Sequence, residues 1–160
     1  MGGSDGPGNH TPAAEFNALA DPDAAAMVAD AGLPLEVIEL MLCRKVSFGP
    51  GDLPPTDPLT ADLLGGYLDI ALSRGRAGMA IYDPVAALAA LRPELFAFRP
   101  CRMAVVTDPG ESWGATRFEP DPRGSVRLAT GFASGPAQDP AREIAGLCLQ
   151  AVSGALAHAS

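Results

Sequence analysis

Apolar positions recur at helical spacing in several stretches of the chain, and three of them open on an Asp-Pro pair. Asp21-Pro22, Asp83-Pro84 and Asp139-Pro140 each precede an alanine- or leucine-rich segment. Aspartate accepts a bond from the first-turn amides, and proline at the first helical position lacks an N–H that would go unpaired anyway. Ala24, Met27, Val28 and Ala31 share one face, so a helix is predicted from about Asp21 to Ala31, with Gly32 as its stop. A second helix, from about Leu59 to Ser73 behind the proline-rich "FGPGDLPPTDP", has Leu63, Leu64, Tyr67, Leu68 and Ala71 as its apolar stripe. A third opens at Pro84. The last, from Asp139 to Ala157, places Ile144, Leu147, Cys148, Ala151 and Leu156 close to helical spacing.

Strand character lies between these helices. "LPLEVIELML" carries Val37, Ile38, Leu40 and Leu42 in a run read as a strand, imperfectly buried because of Glu36 and Glu39. "CRMAVVTD", "SWGATRFE" and "SVRLATGF" are three further short strands, separated by "PGE" and "DPRG", with the look of edge strands or hairpins. The class is α/β, helix-rich, with too few strands for a complete doubly wound sheet.

Composition narrows the function. At 160 residues and 48% hydrophobic, the chain can bury one core, and one domain is expected over residues 1–160. A net charge of −8, with Lys45 the single lysine, argues against nucleic acid and anionic membrane as partners. Cys43, Cys101 and Cys148 have no metal-binding spacing and read as buried thiols of a reducing compartment. With no apolar run of membrane length and no signal-peptide pattern at the start, the expected location is cytoplasmic.

The stretch "GNHTPAAEFN", residues 8–17, places Asn9, Glu15 and Asn17 within nine positions. Polar side chains in a loop before a helix either brace local backbone or face a polar ligand. Both readings stand on spacing alone. The surrounding segment "MGGSDGPGNHTPAAEFNALADPDAAAMV" resembles the inosine-uridine preferring nucleoside hydrolase family in the order and spacing of Gly2, Gly3, Gly8, Asn9, Pro12, Glu15, Phe16, Asn17, Asp21 and Pro22. "MAIYDPVAALAALRPELF", residues 79–96, is similar to a later family stretch, in which a His-Asp-Pro triplet opens a helix. The resemblance is clearest over residues 1–130, leaving 131–160 as a loop and C-terminal helix.

The resemblance implies the C-terminal half of a parallel-sheet fold, and cleavage of the N-glycosidic bond of ribonucleosides to ribose and free base. It implies that Asn9, Glu15 and Asn17 hydrogen-bond ribose hydroxyls, that Phe16 packs beside the sugar, and that Asp83 is a calcium ligand. Tyr82 stands where many members have the histidine that assists the departing base, and a phenol is a weaker acid than imidazolium at neutral pH. His10 and His158 read as solvated, and Tyr67 and Trp113 as packing residues. The family's N-terminal aspartate cluster, D-x-D-x-x-x-D-D, has no counterpart in the chain, whose Met1-Gly2-Gly3 matches a point near the middle of a typical member. The expectation is therefore a truncated protein with an incomplete sheet and an incomplete calcium site. Such a chain is inactive alone, and is homo-oligomeric or dependent on a separate N-terminal piece. The alternative is a remnant that binds nucleoside or ribose without cleaving it, or serves a structural role.

Overall fold

The computed structural model describes residues 1–133 and 139–157, with side chains to residue 153. They divide into two compact units, one formed by Met1–Leu42 and Ala89–Ala133, the other by Cys43–Leu88 and the described part of Ser134–Ser160.

In the first unit, β1 (Leu35–Val37), β4 (Phe96–Val105), β5 (Thr116–Pro120) and β6 (Val126–Phe132) form one sheet in the order β1-β6-β4-β5. β1 pairs with β6 in parallel, and β4 pairs antiparallel with both β5 and β6. Alternation along β4 turns Cys101 and Met103 to one face while Arg102 and Ala104 face solvent. The register sets Cys101 opposite Val126 and Met103 opposite Phe118. These side chains, with Val37, Leu128 and Ala29 of α2 (Pro22–Asp30), form the core. Sheet and helix together are the α/β class expected, although the sheet is mixed and open, with one parallel pair. Two of the three segments read as edge strands or hairpins, β4 and β6, are interior, and β5 alone of the three is an edge. β4 also starts five residues before the "CRMAVVTD" run, at Phe96.

Two further expectations change in this unit. The residues before Asp21 are not all loop, because Phe16–Ala20 forms a short helix, α1, capped by the Glu15 carboxylate. The strand read across "LPLEVIELML" stops at Val37, and Leu40–Cys43 makes a single helical turn, α3. Glu39 is the cause. Its carboxylate, on a residue only 5% exposed, accepts bonds from the N–H groups of Met41 and Leu42 at 2.7 and 2.6 Å, which bends the chain into a turn. Leu40 and Leu42 remain buried, so the apolar pattern of a strand is met by a turn instead.

The second unit pairs β2 (Ser47–Phe48) antiparallel with β3 (Met79–Ala80). It contains α4 (Pro58–Ser73), the start of α5 (Asp83–Leu91) and α6 (Pro140–Ala157). α4 contacts β3 and α6 contacts β2. Asp57 caps α4, accepting from the Thr60 N–H and, at 2.6 Å, from its hydroxyl. Asp139 likewise accepts from the Arg142 N–H ahead of α6. The stripe expected on α4 is only partly internal, since Leu68 and Ala71 are buried while Leu63 and Tyr67 are exposed. On α6 the buried face is Ile144, Ala145, Cys148 and Leu149, with Ala151 outside it; the Leu156 side chain lies outside the described residues. Among the described residues no helix is long and apolar enough to cross a membrane.

Candidate functional site

The loop at residues 8–14 folds around one backbone carbonyl. The N–H groups of Asn9, His10 and Thr11 all reach the oxygen of Ala14, a residue with no exposed surface, and Gly8 N–H donates to Pro12 O at 3.1 Å. The Thr11 hydroxyl oxygen accepts from the Ala14 N–H at 2.9 Å. Gly8 is required by this closeness, because a Cβ there would stand 2.1 Å from the Ala14 oxygen.

Four of the residues picked out by sequence come together where the loop meets α1. Asn9 Oδ1 accepts from the Phe16 N–H at 2.9 Å. Glu15, only 2% exposed, accepts from Asn17 N–H on Oε1, and from Gly3 N–H and Ala18 N–H on Oε2. Asn17 Nδ2 donates to Met1 O at 3.3 Å. Phe16 is 54% exposed, with the His10 ring 5.5 Å from its own. Backbone bracing is therefore present. A carboxylate offers about four acceptor positions, and backbone N–H groups take three of those on the buried Glu15. Asn17 also lines a cleft of about 360 Å³ with Met1, Gly2, Val28, Leu35, Val37 and Met103.

Tyr82 and Asp83 belong to the second unit. Asp83 is the exposed first residue of α5, and the half-buried Tyr82 gives its carbonyl to the Val85 N–H at 3.0 Å and to the Cys43 thiol at 3.9 Å. Both line a pocket of about 420 Å³ with Phe48, Leu64, Tyr67, Ile81 and Cys148. Tyr67 and Trp113, read from sequence as packing residues, are 59% and 41% exposed. An aromatic residue in an amphipathic pattern satisfies that pattern at a cleft wall as well as in a core. All three cysteines are buried and none is in a disulfide, and burial pushes the Cys101 and Cys148 thiols up, which keeps them protonated and poor nucleophiles. His158 lies outside the described residues.

Calcium takes six to eight oxygen ligands. Among the described residues no three histidine, cysteine or acidic side chains converge, and Asp83 brings one carboxylate. The side-chain donors of the described residues do not by themselves fit the ion.

Sequence reading took Glu39 for a flaw in a buried strand and missed its capping role; it also accepts from the Asp5 N–H at 3.1 Å and so ties the opening loop to α3. The signal was an acid set among the apolar residues Val37, Ile38, Leu40 and Leu42, because a carboxylate buried there requires donors.

The model of the family described as inosine-uridine preferring nucleoside hydrolase matches residues 1–139. The chain belongs to that family. Similar curated proteins include the non-specific ribonucleoside hydrolase RihC of Shigella boydii, 36% identical over 126 residues, which are 76% of this chain and 41% of that protein. RihC of Escherichia fergusonii is 34% identical over 124 residues, with the same two coverages. Among solved structures, a purine-preferring ribonucleoside hydrolase from Gardnerella vaginalis superposes with a TM-score of 0.82 at 23% identity, over 96% of this chain and 51% of that one. The plant nucleoside hydrolase PpNRh1 gives 0.74 at 22%, over 95% and 51%. The chain thus has the fold of the part of these nucleoside hydrolases that it covers, about half of their length.

Proposed function

We propose that this chain supplies the ribose-holding part of a ribonucleoside hydrolase and depends for activity on the N-terminal half of that fold, which it does not span. The observation that carries this reading is the capped turn at Asn9, Glu15 and Asn17, where backbone bonds fix the Asn9 and Glu15 side chains before any ligand arrives. Preorganisation of this kind spares a sugar-binding site the entropy of ordering it. In this proposal the open acceptor position of Glu15 and the amides of Asn9 and Asn17 bond ribose hydroxyls, and exposed Phe16 forms an apolar wall. Residues 1–160 act as one partial domain.

The reaction breaks the bond between the anomeric carbon and a base nitrogen. A water oxygen joins the carbon, one of its protons is released, and the base leaves with a proton on nitrogen. In this chain Tyr82 is the group proposed to hydrogen-bond the leaving base, and Tyr67 lines the same pocket with an aromatic face for it. Base preference does not follow from this lining.

The test is release of hypoxanthine from inosine and of uracil from uridine. It is measured on the chain alone and on the chain mixed with the unmatched portion of a relative, with calcium present. Release only by the mixture supports the proposal, and release by neither defeats it. A second reading, nucleoside binding without cleavage, is favoured by the phenol at Tyr82. It predicts that inosine raises the melting temperature of the chain with no base released.

A further inference from the structure

Three consecutive backbone amides, those of Gly3, Ser4 and Asp5, are each held by a side chain from a different part of the fold. Gly3 N–H donates to Glu15 Oε2 at 2.9 Å, Ser4 N–H to Thr116 Oγ1 at 2.8 Å, and Asp5 N–H to Glu39 Oε2 at 3.1 Å. The two carboxylates also cap α1 and α3, whereas the hydroxyl of Thr116, the first residue of β5, is bonded twice to Ser4. It donates to Ser4 O at 3.0 Å, so one side chain takes both backbone groups of a residue only 3% exposed. The strap lies close against β5. Gly3, with a φ of +71°, has no room for a side chain, since a Cβ would stand 2.9 Å from Thr116 Oγ1 and 3.2 Å from the Phe118 ring. Two positions before Thr116, Gly114 brings the hairpin backbone against α1, where a Cβ would stand 2.7 Å from Leu19 Cα.

We propose that Thr116 is a positioning residue for ribose binding, its hydroxyl fixing Ser4 and, through the residues around Ser4, the side chains of Glu15, Asn17 and Asn9. The inference rests on the proposed function above and names a residue that acts on that site without touching the sugar. Each of the three polar residues is tied to the strap. The Gly3 N–H orients the Glu15 carboxylate, the Met1 carbonyl accepts from Asn17 Nδ2 at 3.3 Å, and the Ser4 hydroxyl donates to Pro7 O at 3.0 Å, two residues ahead of Asn9. Residues 1–4 have no helix or strand of their own, so the place of the strap is set from outside it. A side chain that meets a ligand hydroxyl must be held to about 0.5 Å, and that precision comes from the groups behind it. Threonine suits the task. Branching at Cβ restricts its χ1, so the hydroxyl is aimed before the bonds form.

The experiment compares the full parent chain with Thr116→Val, which keeps the shape and loses the hydroxyl, and with Thr116→Ser, which keeps the hydroxyl. Urea unfolding first fixes a temperature at which each is fully folded, so that global stability does not enter the affinities. Without ligand, the Gly3 and Ser4 amides of Thr116→Val should exchange at least about tenfold faster than in the parent. The NMR signal of the Asn17 side-chain amide should move as well, and Thr116→Ser should match the parent in both. D-ribose, which has no glycosidic bond to cleave, is then titrated and read at the Asn9 and Asn17 signals. Its dissociation constant should rise about tenfold in Thr116→Val, the effect of about one lost hydrogen bond, and stay within about threefold of the parent in Thr116→Ser. Unchanged exchange or unchanged ribose affinity in a folded Thr116→Val would overturn the proposal, as would a Thr116→Ser that binds as weakly as the valine variant. If Thr116→Val does not fold, the parent decides. A Ser4 amide protected and slowed further by ribose supports the proposal, and one that exchanges as in an unfolded chain overturns it. Ribose that moves no signal in any of the three counts against the proposed function. The exchange rates and the Asn17 signal then still read whether Thr116 sets those side chains.

Discussion

Glu15 accepts the N–H of Gly3 on Oε2 at 2.9 Å, a bond that ties the first residues of the chain to the start of α1, twelve positions later. The same carboxylate caps Asn17 and Ala18, so one side chain holds both the opening loop and the helix in place.

Glu15→Gln should therefore be costly for an isosteric change. The amide keeps one acceptor oxygen and sets an NH2 against backbone donors that the second oxygen had satisfied. With a buried donor left unpaired and charge-assisted bonds weakened, a loss of about 2–3 kcal/mol is expected in urea unfolding of the chain. A loss below about 0.5 kcal/mol would mean that the turn is held by the Ala14 carbonyl and Asn9 instead.

Gly8→Ala tests that second support. A methyl group 2.1 Å from the Ala14 oxygen cannot be accommodated unless the loop opens, since both atoms belong to backbone regions. The bonds from Asn9, His10 and Thr11 should weaken, with a destabilisation of about 2 kcal/mol or more and faster exchange of the three amides. Gly32→Ala has open space around it but a φ of +69°, so its smaller cost, about 1 kcal/mol, should come from backbone strain alone.

The contrast between α2 and α3 shows what the sequence could disclose. The ends of α2 were legible, because Asp21, Pro22 and Gly32 are strong local signals, but the face read from the period is not the one that packs: Ala24, Met27, Val28 and Ala31 are exposed, and Pro22 and Ala29 are buried. α3 was not legible, because a turn of four residues has no period, and the apolar content of Leu40 and Leu42 fits a strand equally well. Its cause, Glu39, acts through three amides, one of them on Asp5, thirty-four positions away. β4 and β6 show the same limit for a sheet. Their alternation was visible, but which strands lie inside depends on β4 pairing with β6 across the intervening β5. At the candidate site, order and spacing picked out Asn9, Glu15, Phe16 and Asn17 together, whereas the exposure of Tyr67 depends on what α4 packs against.

The cap of α4 should give the chain an acid limit. The Thr60 hydroxyl, and after it the Thr60 N–H, hold the half-buried Asp57 carboxyl below its ordinary value of 3.8. The folded state thus binds the proton less readily than the unfolded state, so stability rises with pH through this range. The contribution is complete above the ordinary carboxylate value and is lost as pH falls through the lower folded one. Helical circular dichroism followed from pH 7 to 2 should fall earlier and less steeply in Asp57→Asn than in the parent. An identical acid profile in the two would remove Asp57 as a source of the transition.

Asn17→Ala separates ribose holding from bracing. The Asn17 side chain is exposed and makes one long bond of 3.3 Å to the Met1 carbonyl, with the thioether of Met1 at 3.5 Å, so its removal should change stability by less than about 0.5 kcal/mol. Its backbone N–H, which the Glu15 carboxylate uses, is untouched by the substitution. If Asn17 bonds a ribose hydroxyl, the variant should lose roughly 1–2 kcal/mol of nucleoside affinity, a fall of about tenfold, while melting where the parent does. The readout is the inosine-dependent shift in melting temperature of the chain assembled with its complementing piece. A variant that melts like the parent and responds to inosine like the parent would take Asn17 out of the ribose contacts, and leave Asn9 and Glu15 to hold the sugar.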